Sequence, residues 1–316
     1  MAETEWTASR YDETTTSLLL GVAAEVFRAF GNSIPPEHLA IVGGIVPTLV
    51  VPVPPAGVDP HVGTSDIDLC LSLNLIDGDT EHYYVNLFQA LTEKLRFTPV
   101  TESGVEKRWC WRGSVSDISV QVDLLSPTRP DRTGAREQQP AARVNAELNL
   151  GPITACAIDY GHLVPLDTER LTKRVRAIDG EMDFTFPVAG VTSWLCLKSA
   201  AITNRRAPKD AYDIVWLLNA LNPGDVAGRI ADSEVARQRP DEVRSQIDKL
   251  YNDLFLTTDA VGAGMYARFM EPSDTDDEPL LRRNAVGAVQ QLAQELRERG
   301  WFDAGASDAP ADQPVA

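Results

Sequence analysis

The stretch Gly63-Thr64-Ser65-Asp66-Ile67-Asp68-Leu69-Cys70-Leu71 constrains this chain more than any other part of it. Apolar and polar residues alternate here, and side chains on a strand alternate faces with period 2. Ile67 and Leu69 therefore share one face, and Asp66 and Asp68 share the other. A strand over 66–73 that packs apolar residues on one side must carry two adjacent carboxylates on the opposite side. Such a pair is costly unless a cation lies between the acids. Mg²⁺ suits the position, being a hard ion that takes oxygen ligands and shares them with phosphates.

The flanking sequence is consistent with that reading. Leu39-Ala40-Ile41-Val42 is a short apolar strand ended by Gly43-Gly44, a tight turn, and Ile45 to Val50 begin a helix. Glycine lets backbone approach a ligand closely, and a helix start offers N–H groups to an anion. Residues 51–60, rich in proline, are a loop. A third acid, Asp123, lies in the strand Ile118–Leu125, and Asp117 at the start of that strand is the weaker competitor. Three carboxylates converging from adjacent strands repel one another unless metal neutralises them. Two divalent ions there would clamp a triphosphate and an attacking oxygen. The plainer alternative is that each acid merely decorates an edge strand.

The rest of the chain reads as α+β. Residues 14–30 form a helix stopped by Gly31-Asn32, and Tyr83–Phe97 is an amphipathic helix with Val85, Leu87, Phe88, Leu91 and Leu95 as its apolar set. Val105–Arg112 and Ile118–Leu125 are strands with Gly113-Ser114 between them, and residues 126–145 are a long polar loop. Leu171–Ile178 and Met182–Val188 form a hairpin around Asp179-Gly180. Beyond Val191 the helix candidates are Thr192–Asn204, Lys209–Leu221, Pro240–Leu256 and Arg283–Gly300. The expected division is a mixed-sheet domain over 1–190, a helical domain over 191–302 and a disordered tail over 303–316.

Composition narrows the class. The chain has 316 residues, 43% hydrophobic and 24% charged, the balance of a globular protein. Its apolar stretches are too short to cross a bilayer, and its acidic start does not read as a signal peptide. Four scattered cysteines without a CxxC pair point to reduced thiols and a cytoplasmic setting, and four isolated histidines show no zinc spacing. A net charge of −17 argues against a general nucleic-acid coat. Basic segments at 169–176 and 198–209 nevertheless allow a local basic surface, with ordinary solvated charge as the alternative.

The order strand, Gly-Gly turn, helix, Asp-x-Asp strand and later Asp resembles the polymerase-β-like nucleotidyltransferase superfamily, through Val42-Gly43-Gly44, Asp66-Ile67-Asp68-Leu69 and Val122-Asp123-Leu124. Lys198 on one helix, followed by Lys209-Asp210-Ala211-Tyr212-Asp213 heading the next, resembles the AbiEii toxin family, which includes the MenT toxins. The motifs that carry this resemblance span about residues 39–220. It implies that Asp66, Asp68 and Asp123 are metal ligands, with Mg²⁺ in a two-ion site. It implies that Gly43, Gly44, Thr64 and Ser65 hold the nucleotide phosphates, that Lys198 contacts the triphosphate, and that Asp213 pairs with this lysine. Lys209 and Arg206 would face either RNA phosphate or solvent. Two departures stand out: a long spacing between Gly44 and Asp66, and Val62 where many such proteins carry an arginine.

The implied activity is transfer of an NMP from an NTP to an acceptor hydroxyl, the 3′ end of tRNA in MenT-type members, with a cognate antitoxin as partner and no membrane. Two alternatives remain open at this point: the same chemistry on a small molecule or protein, and an inactive nucleotide- or partner-binding module.

Overall fold

The computed structural model describes residues 13–30, 34–73, 81–115, 118–127, 147–149, 153–177, 179–270 and 277–301. Helix α1 (Glu13–Phe30) is followed by strand β1 (Leu39–Val42), one 3₁₀ turn over Gly43–Ile45, and the short helix α2 (Val46–Val50). Strand β2 (Asp66–Leu71), helix α3 (Glu81–Gln89, extended by a π turn to Lys94) and strands β3 (Thr98–Glu102), β4 (Val105–Val115) and β5 (Ile118–Pro127) come next. Strands β6 (Glu147–Asn149), β7 (Thr154–Ile158), β8 (Thr168–Ala177) and β9 (Gly180–Ala189) complete the sheet. Helices α4 (Val191–Arg205), α5 (Pro208–Leu221), α6 (Pro223–Asp232), α7 (Glu234–Gln238), α8 (Pro240–Lys249), α9 (Val261–Met270) and α10 (Glu278–Glu298) follow.

The sheet is mixed, with strand order β3-β4-β5-β2-β1-β9-β8, and β7 joins β5 and β6 off this path. β2 runs antiparallel to β1 and parallel to β5. All four residues of β1 are buried, as its unbroken apolar run requires of a central strand. In β2, Ile67, Leu69 and Leu71 are buried while Asp66 and Asp68 are half-buried. β5 repeats the pattern, with Val120, Val122 and Leu124 inside and Gln121 and Asp123 on the other face. Each fully buried Ile or Leu contributes roughly 1.5–3 kcal/mol. A slip of one residue would forfeit these contributions and drive two carboxylates into the core, so the register is fixed. Helix α1 packs on this apolar side, against β2, β5 and β8.

The α+β layout expected from the sequence holds, with instructive exceptions. β3 was not anticipated, because Thr98-Pro99-Val100-Thr101-Glu102 is polar and contains proline. At a sheet edge the missing N–H costs no ladder bond. Gly113-Ser114, expected between strands, lies inside β4. A Cβ on Gly113 would come 2.1 Å from Phe97 Cδ1, so this glycine serves a close approach and not a turn. In α3, Val85 points outward and Tyr84 inward, while Leu87 and Leu91 are buried as expected. Helices α6, α7 and α9 and strands β6 and β7 were also missed. Local signals existed for two of them: Asn222 Oδ1 accepts from Gly224 N–H (3.0 Å) and Ser233 Oγ accepts from Ala236 N–H (3.1 Å), both N-caps.

Gly31-Asn32, Asp117, most of the 126–145 loop and the tail beyond 301 lie outside the described residues. Among the described residues no helix is long and apolar enough to cross a membrane.

Candidate active site

Pairing of β2 with β5 sets Asp68 directly beside Asp123 and Asp66 beside Gln121. Carboxylate oxygens of Asp66, Asp68 and Asp123 all lie within 4.8 Å of one another, a set that could hold a metal ion. The three differ in their protein partners. Thr64 Oγ1 donates to Asp66 Oδ1 at 2.7 Å. Gln121 Nε2 donates to Asp123 at 3.1 Å and is itself held by Arg112 at 2.9 Å. Cys110, opposite Asp123 on β4, also hydrogen-bonds to it. Burial, then the charges of Asp66 and Asp123, raises Asp68 well above the usual carboxylate range. Burial likewise raises Asp123 to about 6, with Asp66 adding to the shift. Like charges this close favour protonation unless a cation neutralises them.

The Gly43–Gly44 turn closes over this cluster. Gly43 has φ +75°, and a Cβ there would lie 1.8 Å from Asp68 Oδ2. Only glycine satisfies both demands. Trp194 on α4 donates its Nε1–H to Gly43 carbonyl oxygen at 2.9 Å, tying the turn to the helices. A Cβ on Gly44 would meet Lys209 Nζ at 2.7 Å and Thr64 Oγ1 at 3.0 Å. Gly44, Thr64 and Lys209 thus meet at close range, and Ser65 beside them is exposed.

Next to these residues lies a buried ionic network. Lys198 Nζ donates to Asp210 Oδ1 and to Asp213 Oδ2, both at 2.7 Å. Lys209 Nζ donates to Asp213 Oδ1 at 2.7 Å, and Arg205 grips Asp210 through Nε (2.8 Å) and Nη2 (2.7 Å). His61 Nε2 lies 3.0 Å from the same Asp213 Oδ1. Burial opposes charge on both acids, but Lys198 and Arg205 hold Asp210 down to about 2. Lys198 and Lys209 push Asp213 lower still. Burial would discharge Lys198, yet Asp210 and Asp213 outweigh it and raise its pKa. For Lys209 burial prevails and the pKa falls. Arg205 is raised chiefly by Asp210, with Asp68 and Asp66 adding to it. This arginine side chain is 52% exposed and lies in the field of the acidic cluster.

Of the residues singled out from sequence, Asp66, Asp68, Asp123, Gly43, Gly44 and Thr64 come together on one side, and Lys198 pairs with Asp213 behind them. Three of the four bases in the 198–209 segment, Lys198, Arg205 and Lys209, pair with Asp210 and Asp213, so much of that segment's charge is balanced from within. The 169–176 bases lie on the edge strand β8, where Arg174 faces Glu181 and Asp183. Sequence reasoning missed Arg205, His61 and Trp194 as site residues. Lys209 and Asp213 stand four apart on α5, a helical ion-pair spacing that could have flagged Lys209. Nothing local could have paired His61 with Asp213, 152 residues away.

The family described as "Nucleotidyl transferase AbiEii toxin, Type IV TA system" matches residues 111–295, more than half of the chain. This span includes Asp123, Lys198, Arg205, Lys209, Asp210 and Asp213. It runs well past residue 220, where the motif resemblance stops, and begins after Gly43, Gly44, Asp66 and Asp68. A solved crystal structure, of an antigenic nucleotidyltransferase-like protein from Paracoccidioides brasiliensis, is similar over 75% of this chain and 94% of that chain, at 15% identity and a TM-score of 0.36. No curated protein matches the chain.

Proposed function

This chain belongs to the nucleotidyl transferase AbiEii toxin family, and from that premise we propose that it moves a nucleoside monophosphate from an NTP to an acceptor hydroxyl. The observation that carries the reading is the convergence of Asp66, Asp68 and Asp123 beside the Gly43–Gly44 turn. The donor set fits Mg²⁺: three hard oxygen donors, mutually repelling, with Asp68 and Asp123 disfavoured as anions until a cation arrives. Asp66 and Asp68 would hold one ion and Asp123 the second of a two-ion site. Bound Mg²⁺ supplies the positive charge the cluster lacks and polarises the phosphoryl oxygens.

The chain's own residues position the rest. Gly44, Thr64 and Ser65 would contact the triphosphate, with Lys209 and Arg205 as the nearby cations. Lys198 acts from behind, ordering Asp210 and Asp213 so that Arg205 and Lys209 keep fixed directions. The acceptor oxygen bonds to the α-phosphorus, the bond from that phosphorus to the pyrophosphate oxygen breaks, and the hydroxyl proton passes to the Asp123 carboxylate. In this proposal residues 1–190 supply the metal and phosphate ligands and the helices over 191–302 supply the cations. The acceptor is the 3′ end of tRNA, and a cognate antitoxin protein restrains the activity.

Incubation with each labelled NTP, Mg²⁺ and total tRNA tests this. Label should enter tRNA with wild-type protein and vanish with Asp66→Ala/Asp68→Ala. Normal labelling by that variant overturns the site assignment. Labelling of protein or small molecules with none of tRNA overturns the acceptor.

A further inference from the structure

We infer that His61 is a positioning residue that locks the Thr64-bearing loop onto helix α5 through Asp213, and so fixes Thr64 and Lys209 relative to each other for contact with the triphosphate. This rests on the nucleotidyl-transfer reading of the site. The ring state follows from its contacts. Gly63 N–H donates to His61 Nδ1 at 3.0 Å, so Nδ1 carries a lone pair and the proton sits on Nε2. That Nε2–H points at Asp213 Oδ1, 3.0 Å away. Burial lowers the ring's pKa against the opposing pull of Asp213, and the nearby charges of Lys209 and Lys198 add to the lowering. His61 is therefore a fixed neutral bridge: one nitrogen reads the loop backbone and the other reads the acid that holds Lys198 and Lys209.

The rest of the loop is fastened to the same helix face. The His61 ring packs on Tyr212 and Trp216, with centroids 5.1 and 4.8 Å away. Val62 N–H donates to Tyr212 hydroxyl oxygen at 3.0 Å, and Trp216 Nε1–H donates to Asp59 carbonyl oxygen at 2.9 Å. Positions 212, 213 and 216 lie on one side of α5. Three residues beyond His61, Thr64 both faces Gly44 and donates to Asp66. A shift of the loop relative to α5 would move Thr64 away from Lys209 while leaving the strand-borne acids in place.

The test is steady-state kinetics with the NTP that wild-type protein uses best, total tRNA and Mg²⁺, on three variants with thermal unfolding in parallel. His61→Gln keeps an N–H donor near the Nε2 position and should hold KM for NTP close to wild type. His61→Asn and His61→Leu lose the link to Asp213 and should raise that KM roughly 10–100-fold, the scale of a lost hydrogen bond to a charged group. Their kcat should change much less. If KM in His61→Asn and His61→Leu stays near wild type while only the melting temperature falls, His61 is a core residue and the inference is overturned. Equal effects in all three variants also overturn it. Should His61→Leu fail to fold, Tyr212→Phe, which removes only the acceptor for Val62 N–H, must raise KM by itself, and an unchanged KM there sinks the idea. A wild-type protein that transfers no nucleotide at all overturns the transfer reading first, and this inference with it.

Discussion

Asp66, Asp68 and Asp123 on the sheet and Asp210 and Asp213 on α5 are the same side chain under opposite electrostatic conditions. On α5 each carboxylate meets two cationic side chains within hydrogen-bond reach, and its pKa falls. On the sheet Asp68 and Asp123 meet chiefly other acids, an amide and a thiol, and their pKa values rise. A buried cluster that is balanced from within is a scaffold. One that is left unbalanced awaits charge from outside. The contrast separates residues that would hold metal from residues that hold the site together, although all five are aspartates.

The largest break in the comparison comes from Asp66→Ala/Asp68→Ala. Loss of several kcal/mol of charge stabilisation should lower the transfer rate on the order of 10³-fold. In EDTA at neutral pH the same variant should melt no lower than wild type, because it relieves repulsion. A marked drop in melting temperature would place these acids in the scaffold class.

Lys198→Met tests the other cluster. It leaves Asp210 and Asp213 buried with one fewer cation, and removing one partner of such a group typically costs about 3–5 kcal/mol. Chemical denaturation should register that loss. A variant with wild-type stability and a raised KM for NTP would return Lys198 to the phosphate-binding role suggested by the family motif.

Gly43→Ala probes the boundary between the clusters. The new methyl would overlap Asp68 and force a positive φ on alanine. Transfer should fall on the order of 10²-fold, the scale of a misplacement near 1 Å. Retained activity would mean that the turn moves freely relative to β2.

The smallest effect is on pH. Asp123 binds its proton more tightly in the folded state, so metal-free stability should fall as pH rises from about 4 to about 6. Asp210 behaves oppositely: its contribution is present above about 4 and is lost as pH falls towards about 2. Melting curves in EDTA should therefore peak in the acid range, and Mg²⁺ should recover a few degrees above pH 6. Identical curves with and without Mg²⁺ would remove the metal from the sheet cluster.

Much of the sheet cluster was legible because its signals are local. Period-two alternation aligned Asp66 with Asp68, Gly43-Gly44 marked a close approach, and Asp123 stood in its own alternating strand. The α5 cluster was legible only in part. Lys198 and Asp213 came from a family motif, whereas Arg205 lay in a segment read only as a local basic surface or solvated charge, and Asp210 was given no role of its own. Sequence gives charge and spacing but not burial, and burial is what turns five ordinary charges into a network.

The chain by itself determined that two carboxylates share a strand face, that a glycine turn precedes them, and that a sheet gives way to helices near residue 190. Short-range geometry fixes all three, through the alternation of side chains and the reach of a few residues. Tertiary structure decided that Asp68 stands beside Asp123, that Trp194 ties down Gly43, and that His61 meets Asp213. Those contacts join segments whose separation along the chain carries no distance information. Only strand register and helix packing bring them within hydrogen-bond range.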